Sequence, residues 1–121
     1  MLNCLAVGIG GFIGAVARYL IGMIPLKHSG GFPIHTLAIN IVGAFFIGCI
    51  VSLAAKDGKL DPRMVLFLKA GVCGGFTTFS TFALETTDLI GSGKPGMAAV
   101  YAVLSMVLGV AAVLGGQYLF Q

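Results

Sequence analysis

Gly74-Gly75-Phe76-Thr77-Thr78-Phe79-Ser80-Thr81-Phe82 is apolar enough to lie in a lipid bilayer and poorly suited to a continuous helix. With Gly71, it places three glycines within five residues, and each weakens a helix by roughly 0.5–1 kcal/mol relative to alanine. The Thr and Ser hydroxyls that follow can bond main-chain groups released from the helical ladder. The composition therefore predicts a break near residues 74–78, at the membrane midplane. Irregular backbone at that depth is tolerated only where protein buries it or where it lines a cavity, and its carbonyls can then coordinate a cation. Gly74 to Thr78 are the candidates.

Around this stretch the chain reads as one span over 62–90. Asp61 is placed to cap a helix whose first residue is Pro62, and Gly91-Ser92-Gly93-Lys94 turns the chain at the far end. Further apolar segments at about 2–24, 34–55 and 95–119 each approach the roughly 20 residues that cross a bilayer core. Pro25 stops the first of them, while Pro33 and Pro95 suit the opening turns of the other two. The chain has 121 residues, and four such spans use nearly all of them. The expectation is a single transmembrane domain, 1–121, in an all-α integral protein of the cell (inner) membrane. Composition points the same way: 58% of residues are hydrophobic and 9% charged, against roughly 25% charged in soluble domains. Mean hydropathy is +1.05.

Seven basic and four acidic residues give a net charge of +3 without a cluster, so the basic patch that nucleic acid requires is absent. Cys4, Cys49 and Cys73 lack paired spacing and read as small packed hydrophobes. The N-terminus has no basic leader region, and its apolar run continues past signal-peptide length to Arg18, as in a retained span. An even number of spans sets Lys56, Lys59, Arg63 and Lys69 on one side against Lys27, Lys94 and Arg18 on the other. Orientation follows the basic imbalance, and near-equality predicts insertion in both senses. No internal repeat supplies a two-sided pathway, and four helices are few to enclose a pore. An antiparallel homodimer answers both.

Helices in lipid associate through small residues that let backbones approach. Gly10 and Gly14 show that spacing in the first span, beside Gly8 and Gly11. Tyr101, Ser105, Gly109, Ala112 and Gly116 form a stripe in the fourth that suits an interface or a pathway. Asn40 lies in mid-span, one turn after Thr36. Its amide must be satisfied, either between helices or by an anion in transit. Phe79 and Phe82 share a helix face next to Ser80 and Thr81. They suit core packing, or the positive ring edges can replace part of an anion's hydration shell. Arg18 either snorkels to the interface or stands at a pore mouth. Glu85, one turn beyond Phe82, either holds a proton or pairs with a lysine near the opening. His28 and His35 have no metal-ligand company.

These motifs resemble the small dual-topology fluoride channels called Fluc or CrcB. The likeness rests on Gly10-Gly11-Phe12-Ile13-Gly14-Ala15-Val16-Ala17-Arg18-Tyr19, on Thr36-Leu37-Ala38-Ile39-Asn40-Ile41-Val42-Gly43, and above all on Gly74 to Phe82, in order along the chain. The resemblance implies an antiparallel homodimer with two fluoride pathways, each lined by both subunits, and a sodium ion at the centre. It implies passive fluoride export that protects the cell, with no organic cofactor and no enzymatic activity. Asn40 would donate to fluoride, Phe79 and Phe82 would present ring edges, and Ser80 and Thr81 would continue a polar track. Gly74 and Thr77 would offer backbone carbonyls to sodium. Tyr101 and Ser105 resemble pore-lining positions. Members of the family often carry Gly before the Thr of the second motif, where this chain has His35.

Three rivals differ in kind. A proton-coupled multidrug exporter needs an intramembrane carboxylate, and the first two spans hold none. A membrane thiol oxidoreductase needs a paired dithiol, and the cysteines here are far apart in sequence. A non-conducting assembly subunit is distinguished by testing the purified protein alone.

Overall fold

The computed structural model describes residues 1–26 and 31–121. The expected polar loop residues Lys27, His28, Ser29 and Gly30 lie outside the described residues. Helix α1 (Leu2–Gly22) is an apolar run that stops two residues before its expected end. Met23 and Ile24 donate their N–H groups to the carbonyls of Leu20 and Ile21 at 3.1 and 3.0 Å, a tightened last turn ahead of Pro25. Helix α2 (Ile34–Lys56) begins directly after Pro33. Helix α3 (Pro62–Leu66) has Pro at its first position, and Asp61 Oδ1 accepts the Arg63 N–H at 3.0 Å.

The helix then widens into a π-helical run, Phe67–Cys73, and returns to α geometry in α4 (Gly74–Phe76). Helix α5 (Phe79–Gly91) follows, and α6 (Pro95–Leu119) closes the fold. Gly74 itself is helical, at φ −63° and ψ −38°. The residues between α4 and α5 are extended: Thr77 at φ −80° and ψ 156°, and Thr78 at φ −147° and ψ 118°. Thr78 is the N-cap of α5, its Oγ1 accepting the Thr81 N–H at 3.2 Å. β-Branching favours extended backbone, and the hydroxyl meets an orphan amide. Leu2–Gly22, Ile34–Lys56, Pro62–Gly91 and Pro95–Leu119 are the four segments long and apolar enough to cross a membrane among the described residues. No strand occurs among those residues.

Helix α1 packs on the π-helical run and α4, while α6 packs on α2 and α5. Glycines set the first seam. A Cβ on Gly14 would meet the Val72 carbonyl and the Phe76 amide, one on Gly71 would lie 2.9 Å from Gly10 Cα, and one on Gly75 2.9 Å from Gly11 Cα. Two glycine pairs of the same spacing, Gly10 with Gly14 and Gly71 with Gly75, thus bring backbone against backbone. Gly8, by contrast, faces open space. Gly14→Val is therefore expected to lower stability by about 1–3 kcal/mol through overpacking, and Gly8→Val to leave it unchanged. Denaturant titration in detergent micelles measures both.

A single chain leaves most of its apolar surface uncovered. Phe12 is 70% exposed and Tyr118 75%, and among the described residues only Tyr101 of the large side chains is fully buried. Cys4 is exposed, Cys49 and Cys73 are buried, and all three are free thiols. Apolar area on this scale is stable only against lipid or protein.

Candidate functional site

Asn40 fixes the extended pair. Its Nδ2 donates to the Thr78 carbonyl at 3.1 Å, and its Oδ1 accepts the Thr78 N–H at 2.8 Å. A side-chain amide thereby takes both main-chain groups of Thr78 that a continuous helix would have used. One Nδ2 hydrogen remains for another acceptor. Gly43 lies on the same side of α2, and a Cβ there would collide with the Thr77 methyl.

Phe79 opens α5 as a residue 79% exposed, and its ring centroid lies 5.8 Å from that of Phe82. Phe82 in turn packs on Tyr101 at 5.1 Å. A cleft of about 370 Å³ and another of about 550 Å³ meet at Thr78. The larger gathers Asn40, Thr77, Phe79, Phe82 and Ser105 from α2, the extended pair, α5 and α6. Ser105 Oγ is buried without a hydrogen-bond partner among the described residues. The smaller holds Arg18, His35, Thr36, Thr78, Thr81 and Glu85. A third cleft of about 420 Å³, with Asp88 and Lys94 in its wall, shares His35 and Glu85 with it. The three lie in series from the α5–α6 turn to the phenylalanines.

The other candidates take definite places. Thr78 Oγ1 donates to Thr81 Oγ1 at 3.1 Å and lies 3.3 Å from Ser80 Oγ, so the hydroxyls form a short chain. The Tyr101 ring stands behind Phe82 and outside the cleft of the phenylalanines, and its hydroxyl donates to Glu85 Oε1 at 2.9 Å. Thr36 Oγ1 donates to Glu85 Oε2 at 3.0 Å. Both carboxylate oxygens of Glu85 thus accept hydroxyl hydrogens, one from α2 and one from α6. Arg18 Nε donates to the Gly75 carbonyl at 3.2 Å, tying α1 to α4.

The Gly74 and Thr77 carbonyls sit where the helical ladder lapses. The Thr78 N–H goes to Asn40 instead of Gly74, and the Thr81 N–H goes to Thr78 Oγ1 instead of Thr77. Such hard, neutral oxygens suit a hard cation. No group of three or more His, Cys, Asp or Glu side chains converges among the described residues.

Thr36 and Thr78 carry more of this geometry than their sequence suggested. Thr36 is one turn before Asn40 and shares its face, a signal that was available. The two bonds from Asn40 to Thr78 join residues 38 apart, and nothing local encodes them.

The family described as "CrcB-like protein, Camphor Resistance (CrcB)" matches residues 5–117. The "Fluoride-specific ion channel FluC" of Agrobacterium fabrum is 46% identical over 117 residues, covering 96% of this chain and 94% of that protein. The protein of the same name from Ruminiclostridium cellulolyticum is 47% identical over 96% of this chain and 87% of its own length. That from Chlorobaculum tepidum is 44% identical over 98% and 94%. With its glycine seams, its threonine pair held by Asn40 and a match running almost end to end, this chain belongs to the CrcB family.

Proposed function

We propose that this protein conducts fluoride passively across the membrane and so lowers fluoride inside the cell. The observation that carries the reading is the single cleft to which Asn40, Phe79, Phe82 and Ser105 come from separate elements. A small, strongly hydrated anion loses its water in a pore only if fixed donors replace it. The spare amide hydrogen of Asn40, the Ser105 hydroxyl, two ring edges and the N-terminal amides of α5 supply such donors. Among the described residues no Lys or Arg lines this cleft, so the ion is held weakly enough to leave. The names of the relatives describe a channel and not an enzyme.

The exposed ring of Phe79 calls for a covering partner. In the proposed assembly, a second copy inserted in the opposite sense covers it, and two pores form at the interface of the antiparallel homodimer. The extended Thr77–Thr78 pair then lies at the bilayer midplane as a functional break in the third span. The carbonyls of Gly74 and Thr77 would hold a structural sodium ion, which supplies positive charge that fixes the helix ends. Ser80 and Thr81 continue the track beyond the rings, and Arg18 and Glu85 stand at its mouth. Tyr101 acts from behind, holding Phe82 and Glu85.

Fluoride efflux from liposomes containing the purified protein tests the reading. Fluoride is expected to pass and chloride to be retained. Equal passage of both, or of neither, overturns it.

A further inference from the structure

Phe32 lies outside the cleft of the phenylalanines and yet is joined to it by rings. Pro33 stands at φ −81° and ψ 74°, and the Ile34 N–H donates to the Phe32 carbonyl at 2.9 Å. That geometry is an inverse γ-turn, and proline disfavours helical backbone at the residue before it. The turn thus presents Phe32 from a constrained main chain at the entry to α2. Its side chain packs on the cluster of Leu89, Ala98 and Tyr101, and its ring meets Tyr101 edge to face, with centroids 5.6 Å apart at 76°. Tyr101 meets Phe82 at 5.1 Å, and Phe82 meets Phe79 at 5.8 Å. Four rings therefore run from the connection ahead of α2, through α6, to the two side chains proposed to face fluoride.

Phe79 is exposed and gives Phe82 little support within one chain, whereas Tyr101 is fully buried. The direction of the Phe82 edge accordingly follows Tyr101. Tyr101 is itself held at its hydroxyl by Glu85 and on its ring by Phe32. Close packing passes a change at one end of such a series to the other. We propose that Phe32 is a positioning residue for conduction: acting through Tyr101, it sets the edge that Phe82 offers to the ion. This inference rests on the proposed fluoride conduction. An edge-to-face ring pair changes a rate by about two- to tenfold when the whole of it is felt at the barrier. Phe32 also lines the outer cleft beside Glu85 and Asp88, so a direct effect on an ion entering there is the competing account.

Fluoride efflux from liposomes, normalised to assembled protein, tests it with Phe32→Leu, which keeps an apolar side chain and removes the ring. Flux is expected to fall about two- to tenfold. In the Phe82→Ile background the same substitution is expected to cause no further loss, because the ring that Phe32 positions is already gone. Phe32→Met, a second variant without a ring, is expected to behave alike and replaces Phe32→Leu if leucine impairs assembly. Wild-type flux in an assembled Phe32→Leu or Phe32→Met overturns the inference alone. A further loss by the same factor in the double variant also overturns it, as the outcome of a direct role in the outer cleft. Failure of both single variants to assemble makes Phe32 a folding residue and overturns it too. No fluoride flux from the wild-type protein overturns the conduction reading and the inference with it.

Discussion

Replacing Phe79 or Phe82 with Ile is expected to cut fluoride flux by about ten- to a hundredfold while the protein remains assembled. Isoleucine keeps the apolar bulk and removes the positively polarised ring edge. Losing about 1.4–2.7 kcal/mol of stabilisation at the barrier corresponds to that range of rate. The two positions separate a conducting role from a packing one. Phe82 supports Tyr101, so Phe82→Ile also loosens the group that bonds Glu85. Phe79 has no such burden, being 79% exposed in one chain. If the rings only pack, Phe82→Ile lowers stability and Phe79→Ile leaves flux at the wild-type level. Flux from liposomes and the melting midpoint in detergent, measured on both variants, distinguish the outcomes.

Asn40→Asp is expected to abolish measurable flux, a loss of about a hundredfold or more. The substitution is nearly isosteric and keeps an acceptor for the Thr78 N–H. It removes the donor to the Thr78 carbonyl and sets a negative oxygen against that carbonyl. A buried group stripped of its partner costs about 1–3 kcal/mol, and an anion approaching the same cleft meets a like charge. Asn40→Ser probes the other half, since its side chain is too short to take both main-chain groups of Thr78. A purely structural Asn40 predicts that whatever protein survives in Asn40→Ser conducts normally. A pathway Asn40 predicts lost flux per folded protein, read by normalising efflux to correctly assembled material.

Much of the architecture was legible because lipid imposes a simple rule on sequence. Runs such as Ile34–Lys56 can be read by length and hydropathy alone. The Gly-Gly-Phe-Thr-Thr-Phe-Ser-Thr-Phe motif identified the family, and the cap formed by Asp61 was visible from its neighbour Pro62. The position at which helical geometry lapses was less readable. Glycine composition points to Gly74 and Gly75, yet these stay helical and the extended residues are Thr77 and Thr78. The reason is tertiary: Gly75 stays in the helix packed on Gly11 of α1, and Asn40 draws Thr78 out of it. The partners of Glu85 were hidden for the same cause. Its bonds to Thr36 and Tyr101 join residues 49 and 16 apart, and no local period announces such meetings.

The seam between α1 and the third span also shapes how this protein can drift. Any replacement of Gly10, Gly14, Gly71 or Gly75 adds at least a methyl group where main chain already touches main chain. The exposed side chains of α6 that lie outside the clefts, such as Val103 and Val110, have no such neighbour in the chain, and lipid accommodates almost any apolar shape. Mutational tolerance is thus divided by neighbour and not by depth: codons that face acyl chains are free to wander, while a few glycine codons buried among them are pinned.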